Sequence, residues 1–164
     1  MEDTTTQKAL ASSALKVQTA LAERGIEAQV VELPDSTRTA EEAAAAIGCD
    51  VAQIVKSLIF QGKESGEPYY VAVSGANRVH EKRLGRLIGE KIRKADAEFT
   101  RTVTGFAIGG IPPVGFARDI KAYIDQDLMV HTELWAAAGT PFAVFGLSPQ
   151  DLQSMTGGEV VSVT

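Results

Sequence analysis

The run Ile54-Val55-Lys56-Ser57-Leu58-Ile59-Phe60 constrains the fold more than any other stretch of this chain. It is apolar, rich in β-branched residues and closed by an aromatic, the pattern of a strand. Alternation sends Ile54, Lys56, Leu58 and Phe60 to one face and Val55, Ser57 and Ile59 to the other. Both faces are then mostly apolar, which calls for cover on each side and so for a central strand. Lys56 breaks the pattern. An ammonium group among residues that bury themselves needs a partner, a route to water or a task. Two readings stand on the strand alone: a lysine whose stem lies on the sheet while its head reaches water, and a functional cation.

A chain of 164 residues, 45 % hydrophobic and 23 % charged, can bury a real core and is expected to fold as one domain over 1–164. No apolar run approaches the roughly 20 residues of a membrane-spanning helix. The opening Met1-Glu2-Asp3-Thr4-Thr5-Thr6 is acidic and polar, unlike a secretory signal. Cys49 stands alone, which excludes an internal disulfide and suits a reducing cytoplasm. The net charge of −5 argues against a nucleic-acid coat over the whole surface. Charge is nevertheless uneven. Arg78 to Arg101 holds eight of the sixteen basic residues against four acids, a local net +4. Arg78, Lys82, Arg83 and Arg86 form its dense end, open to two readings: a phosphate-docking face and a solvated helix face of mixed charge.

Gln7 to Glu23 reads as an amphipathic helix with Leu10, Ala14, Val17 and Leu21 inward. A short strand is expected over Ala28 to Leu33. Thr39-Ala40-Glu41-Glu42 is a capping box that opens an alanine-rich helix ending at Gly48. Asp50 caps a short turn into the Lys56 strand, and Tyr69 to Val73 alternates like its hairpin partner. A basic helix follows over His80 to Ile88, with Leu84, Leu87 and Ile88 inward. Lys91 to Lys94 reads as a strand, and Asp96 caps a helical turn through Phe99. Ile120 to Ile124, Glu133 to Ala137, Phe142 to Leu147 and Glu159 to Val163 are strand candidates. Ser148-Pro149 opens a terminal helix by cap and first-turn proline.

Familiar catalytic signatures are missing: no phosphate-binding loop, no Gly-x-Gly-x-x-Gly, no Gly-x-Ser-x-Gly and no His-Glu-x-x-His. With His80, His131 and Cys49 the whole supply, a Cys/His metal site is poorly provided for. A Cys49–histidine nucleophile competes with plain packing, which the position after a helix end favours. The other unusual stretch is Gly109-Gly110-Ile111-Pro112-Pro113-Val114-Gly115. Its prolines stiffen the chain and its glycines admit a close neighbour. A binding wall and a tight corner in a curved sheet both fit.

These stretches together resemble a known family. Ile-Val-Lys-Ser-Leu-Ile-Phe at 54–60, Tyr-Val-Ala-Val-Ser-Gly at 70–75 and Thr-Gly-Phe-Ala-Ile-Gly-Gly-Ile-Pro-Pro-Val-Gly at 104–115 are similar, in that order, to the YbaK / prolyl-tRNA synthetase-associated domains. The similarity runs from about Leu15 to Val163. It implies an α+β fold: a barrel-like mixed sheet of about six or seven strands flanked by helices. It implies a free-standing, metal-independent hydrolase that cleaves the ester of a mischarged tRNA, the proline tRNA foremost. No cofactor is implied, and the partners are aminoacyl-tRNA and an aminoacyl-tRNA synthetase. The family's lysine falls on Lys56 and its glycine–proline loop on Gly109, Gly110 and Pro113, with Ile111 inside the loop. A further glycine falls on Gly139.

On this reading Lys56, Gly109 and Gly110 are catalytic. Ser57, Ile111, Pro113, Gly139 and Thr140 bind substrate, and Arg78, Lys82, Arg83 and Arg86 meet tRNA. An aminoacyl ester is already reactive, so a strong protein nucleophile is not required. Val144 stands where the cysteinyl-tRNA(Pro) deacylase branch has an aspartate, which argues against cysteine as the residue removed. Thr140 fits a pocket position and a turn position, the turn slightly better. A non-catalytic module that holds a tRNA end, a nucleotide or a synthetase in the same pocket is the competing function.

Overall fold

The computed structural model describes residues 11–34 and 36–164. The strand around Lys56 is the centre of the sheet that results. This strand, β2 (Ile54–Gly62), pairs antiparallel with β3 (Pro68–Ser74) over seven residue pairs, from Val55 opposite Ser74 to Gln61 opposite Pro68. Before it come β1 (Val31–Glu32), and after it β4 (Ile92–Lys94), β5 (Lys121–Asp125), β6 (Leu134–Ala137), β7 (Ala143–Leu147) and β8 (Glu159–Val161). The eight strands form one mixed sheet in the order β1-β7-β6-β2-β3-β5-β8, with β4 on β2 beyond β6. The α+β class is as expected from the sequence. Among the described residues the sheet has eight strands and does not close into a barrel.

Among the described residues five helices cover it: α1 (Ser12–Glu23), α2 (Ala40–Ile47), α3 (Glu81–Ile88), α4 (Ala97–Thr104) and α5 (Pro149–Thr156). Their ends lie where the capping residues put them. Thr39 completes the capping box with Glu42, and Gly48 closes α2 in the left-handed conformation. Asp96 and Ser148 each accept from a backbone N–H of the first turn. The helix after Asp96 continues to Thr104, past the single turn expected. Residues 7–10 of the predicted first helix lie outside the described residues.

One core packs Val55, Ile59, Tyr70 and Ala72 of the central hairpin against Ala14, Val17 and Leu21 of α1 and Leu152 and Met155 of α5. The opposite face packs Phe60, Val71 and Val73 against Leu84 of α3. The alternation predicted for β2 is therefore the observed one, and both faces are covered. Each buried aliphatic or aromatic side chain contributes roughly 1.5–3 kcal/mol. On α3 Leu84 is buried and Ile88 partly buried, both inward as expected, whereas Leu87 is exposed. No helix among the described residues is long and apolar enough to cross a membrane.

Glu90 fixes the turn between β2 and β3. Its carboxylate accepts from the Glu64 and Ser65 amides at 3.1 and 3.0 Å, the Ser65 hydroxyl at 2.6 Å and the Tyr69 hydroxyl at 2.5 Å. These donors, the Ser65 hydroxyl foremost, hold its pKa down at about 2, from an ordinary value of 4.5. A depressed carboxyl stabilises the fold above its ordinary pKa, and the contribution fades as pH falls toward the folded value. Glu90→Gln is expected to lower the urea midpoint at pH 7, and the difference from wild type should vanish as pH approaches 2. Circular dichroism over that pH range checks it; a pH-independent difference would contradict the assignment.

Candidate active site

Burial along β2 dips at Lys56, Ser57 and Leu58, between well-buried neighbours on either side. Pairing explains the dip. On the side away from β3, β6 covers Ile54 and Val55, and β4 covers Phe60 to Gly62. Neither ladder includes Lys56, Ser57 or Leu58. A cleft of about 310 Å³ opens at this gap. Its lining includes Ile54 to Leu58, Ile108, Gly109 and Ile111 from the glycine–proline loop, Ala137 from β6, and Thr37 to Glu41 leading into α2.

The cleft walls are tied to one another through the turn after β6. Gly139 donates its N–H to the Gly110 carbonyl at 2.8 Å, and the Thr37 N–H and hydroxyl both reach the Pro141 carbonyl at 2.6 Å. Gly110 lies so close to this turn that a Cβ there would sit 2.9 Å from the Thr140 nitrogen and Cα. Gly139 holds φ +95°, and a Cβ on it would lie 2.6 Å from the Ser13 carbonyl oxygen of α1. Both glycines are therefore required by close approach, and the loop, the turn and the α2 entrance form one rigid frame.

Lys56 projects to the α3 face of β2, where its ammonium donates to the backbone carbonyl of Asn77. Desolvation lowers its pKa first of all, with Arg78 and Lys94 adding to the effect and Glu41 and Asp125 opposing it. Asn77 is itself clamped, its side-chain amide donating to Asp125 and Asp127 at 2.8 Å each. Asp125 is buried and also accepts from the Ser74 amide at 3.0 Å. The ordering chain Lys56–Asn77–Asp125 escaped the sequence reading. Its signal was a carboxylate at the end of the apolar run Ala122-Tyr123-Ile124.

Other predicted residues are distributed as follows. Ser57 places its hydroxyl 2.7 Å from that of buried Tyr70. Ile111 is buried at the cleft and packs in the α1-side core. Pro113 is buried and borders a different cavity, with Arg24, Phe116 and Met155. Thr140 accepts from the Phe142 amide at 3.1 Å, a turn contact. Arg78 lies near enough to Lys56 to influence it. Lys82 and Arg86 line a separate, wider depression of about 720 Å³ with Lys63 and Lys91. Arg83 donates to the Thr164 carbonyl. The structure thus brings Lys56, Ser57, Gly109 and Ile111 to one cleft and sets the basic side chains of α3 apart from it. Thr37, Arg38 and Thr39 on the cleft wall were missed, since nothing in a polar connection marks it as facing a strand.

Cys49 packs partly buried beside Ile54, Ile47 and Trp135. Burial, then Asp50 and Glu133, push its thiol pKa up, which disfavours a thiolate nucleophile. His80 serves as the cap of α3, its Nδ1 accepting from the Arg83 amide.

The family model for the aminoacyl-tRNA editing domain matches residues 34–155, a span that contains every wall of this cleft. The chain belongs to the aminoacyl-tRNA editing domain family. This editing domain is 30 % identical over 134 residues to the uncharacterized protein YwhH of Bacillus subtilis, covering 82 % of the chain and 85 % of that protein. It is 33 % identical over 94 residues to the proline–tRNA ligase of Limosilactobacillus fermentum, covering 55 % of the chain but 16 % of the ligase. Among solved structures it superposes with TM-score 0.90 and 50 % identity on a candidate trans-editing enzyme for prolyl tRNA synthetase, covering 95 % of this chain and 99 % of the other. The hypothetical protein APE2540 superposes with TM-score 0.83 at 31 % identity, over 90 % of this chain and 98 % of the other. The resemblance seen in the lysine strand and the glycine–proline loop is thus the family relationship.

Proposed function

We propose that this editing domain is a trans-editing deacylase that hydrolyses the ester of a mischarged tRNA, the proline tRNA being the first candidate. The observation that carries the reading is the cleft itself, where Lys56 and the Gly109–Ile111 loop, distant in sequence, share one cavity. In the reaction, water adds to the ester carbonyl and the bond to the ribose oxygen breaks. That oxygen takes a proton, leaving free amino acid and tRNA. The reactive ester lowers what the protein must supply to positioning and stabilisation of developing charge. Lys56, held on Asn77 with Arg78 and Lys94 nearby, supplies cationic donors for a phosphate or ribose oxygen of the tRNA end. The Gly109 backbone, at the cleft, orients the water, with Gly110 fixed behind it by Ala107 and Gly139. Gly139 and Thr140 brace that loop, Pro113 stiffens it from behind, and Ile111 limits the size of the amino acid.

Deacylation of proline tRNA charged in turn with alanine, cysteine, serine, threonine and proline tests the reading. Release of a non-cognate residue with prolyl-tRNA spared supports it. Binding of tRNA with no release from any tRNA tried would favour a non-catalytic module. Among the described residues no group of three or more His, Cys, Asp or Glu side chains is placed to hold a metal. On the metal-independent reading, dialysis against EDTA is expected to leave the rate unchanged. A rate that falls and returns with added zinc or magnesium would overturn that part.

A further inference from the structure

On β2, successive residues present their backbone groups to opposite neighbours. The Ile54 carbonyl accepts from Gly75 on the β3 side, and the Gly62 N–H donates to Glu67 on the same side. The Ile59 carbonyl accepts from Ala95 on the other side. This parity turns the N–H and C=O of Ser57 away from β3, into the gap that β6 and β4 leave. Ser57 lines the cleft there, and its side chain is already engaged by Tyr70.

Two neighbouring backbone groups on an open strand edge form half of an antiparallel hydrogen-bonded pair. The missing half is a residue that offers one N–H and accepts through one C=O. An α-aminoacyl ester has that pattern, with its α-ammonium as donor and its ester carbonyl as acceptor. Resting on the deacylase reading, we propose that the aminoacyl group docks as a one-residue strand on β2, bonded through the backbone of Ser57. The Ser57 carbonyl accepts from the α-ammonium, and the Ser57 N–H donates to the ester carbonyl oxygen, where negative charge develops as water adds.

This docking has a direction and a face. Antiparallel to β2, the substrate points its α-nitrogen toward Leu58 and its ester toward Lys56. The tRNA end then leaves past Lys56 and the Thr37–Thr39 wall. Paired residues share a face, so the amino acid's side chain lies on the Ser57 side, where Val55 and Ile111 bound the space. The specificity-setting contact of Ser57 is thus its backbone, and the recognised feature is a free α-amino group.

The test uses non-hydrolysable amide mimics of the tRNA end, alanylamido- and propionylamido-adenosine, titrated by NMR against the full chain. The alanyl mimic is expected to bind at least roughly tenfold tighter, as befits one charge-assisted hydrogen bond. A variant carries a backbone ester at Ser57, introduced as the α-hydroxy acid, which deletes its N–H and weakens only the Lys56 carbonyl as an acceptor toward β3. It is expected to lower the melting temperature less than the same change at Phe60, which deletes an N–H inside the β2–β3 ladder. The Ser57 ester should also weaken both mimics. Equal affinities for the two mimics, no binding of either, or unchanged binding by the Ser57 ester would overturn the inference. A retained preference for the alanyl mimic, with no hydrolysis of any aminoacyl-tRNA, would uphold the docking and sink the deacylase reading instead.

Discussion

Lys56→Met is expected to cut kcat/KM for deacylation by roughly a hundredfold to a thousandfold, the range typical of losing one preorganised electrostatic donor. The same change should leave the melting temperature unchanged or raised. Burial depresses the Lys56 pKa, so the charged form is disfavoured by folding and the protein tolerates it at a stability penalty. With the folded value below the unfolded one, that penalty is fully present below the folded value and is relieved as pH rises through it. Methionine keeps the stem's apolar packing on the strand and removes the charge. Calorimetry beside single-turnover deacylation checks both halves. A variant that loses activity and stability together would assign Lys56 a structural role, and one that keeps activity would remove it from the mechanism.

The second large effect concerns two glycines that a sequence comparison treats alike. Gly139→Ala forces an L side chain into φ +95° and drives its Cβ against the Ser13 carbonyl at 2.6 Å. Left-handed strain of roughly 1–2 kcal/mol and overpacking of roughly 1–3 kcal/mol combine, so a substantial fall in the urea midpoint is expected. Gly110→Ala meets the Thr140 backbone at 2.9 Å without such a positive φ. Its loop is displaced, not unfolded, and misplacement of about 1 Å at a reacting centre costs on the order of a hundredfold in rate. Gly110→Ala should therefore lose more activity than stability, and Gly139→Ala the reverse. Equal losses in both would mean that the two glycines do not play the separate parts assigned to them.

Much of this architecture was legible in local sequence, because caps, alternation and turn residues act over a few positions. Thr39, Asp96 and Ser148 mark their helices, and Ile54 to Phe60 declares both its strand and its anomalous lysine. What was not legible depends on neighbours distant in the chain. Nothing in Trp135 or Ala136 announces that they pair parallel with Ile54 and Val55 and stop there, leaving Ser57 uncovered. Nothing in Thr37 or Arg38 points to a cleft, since their position follows from a bond to Pro141. Pro113 belongs to the same short motif as Gly109 yet borders another cavity, because the loop turns between them. Likewise the charge run from Arg78 to Arg101 is continuous in sequence but divided in space, with Arg78 near Lys56 and Lys82 and Arg86 over a separate depression.

The parallel pairings of β2 with β6 and of β3 with β5 have a kinetic consequence. Both join strands that are remote in sequence, and such contacts form late because a long loop must close before they are rewarded. The cleft takes its walls from residues 37–41, 54–58, 75, 108, 109, 111 and 137, so it has no partial form in a half-folded chain. Refolding followed by tryptophan fluorescence of Trp135, at the β2–β6 junction, should keep step with recovery of function, while helical circular dichroism, dominated by local segments, returns earlier.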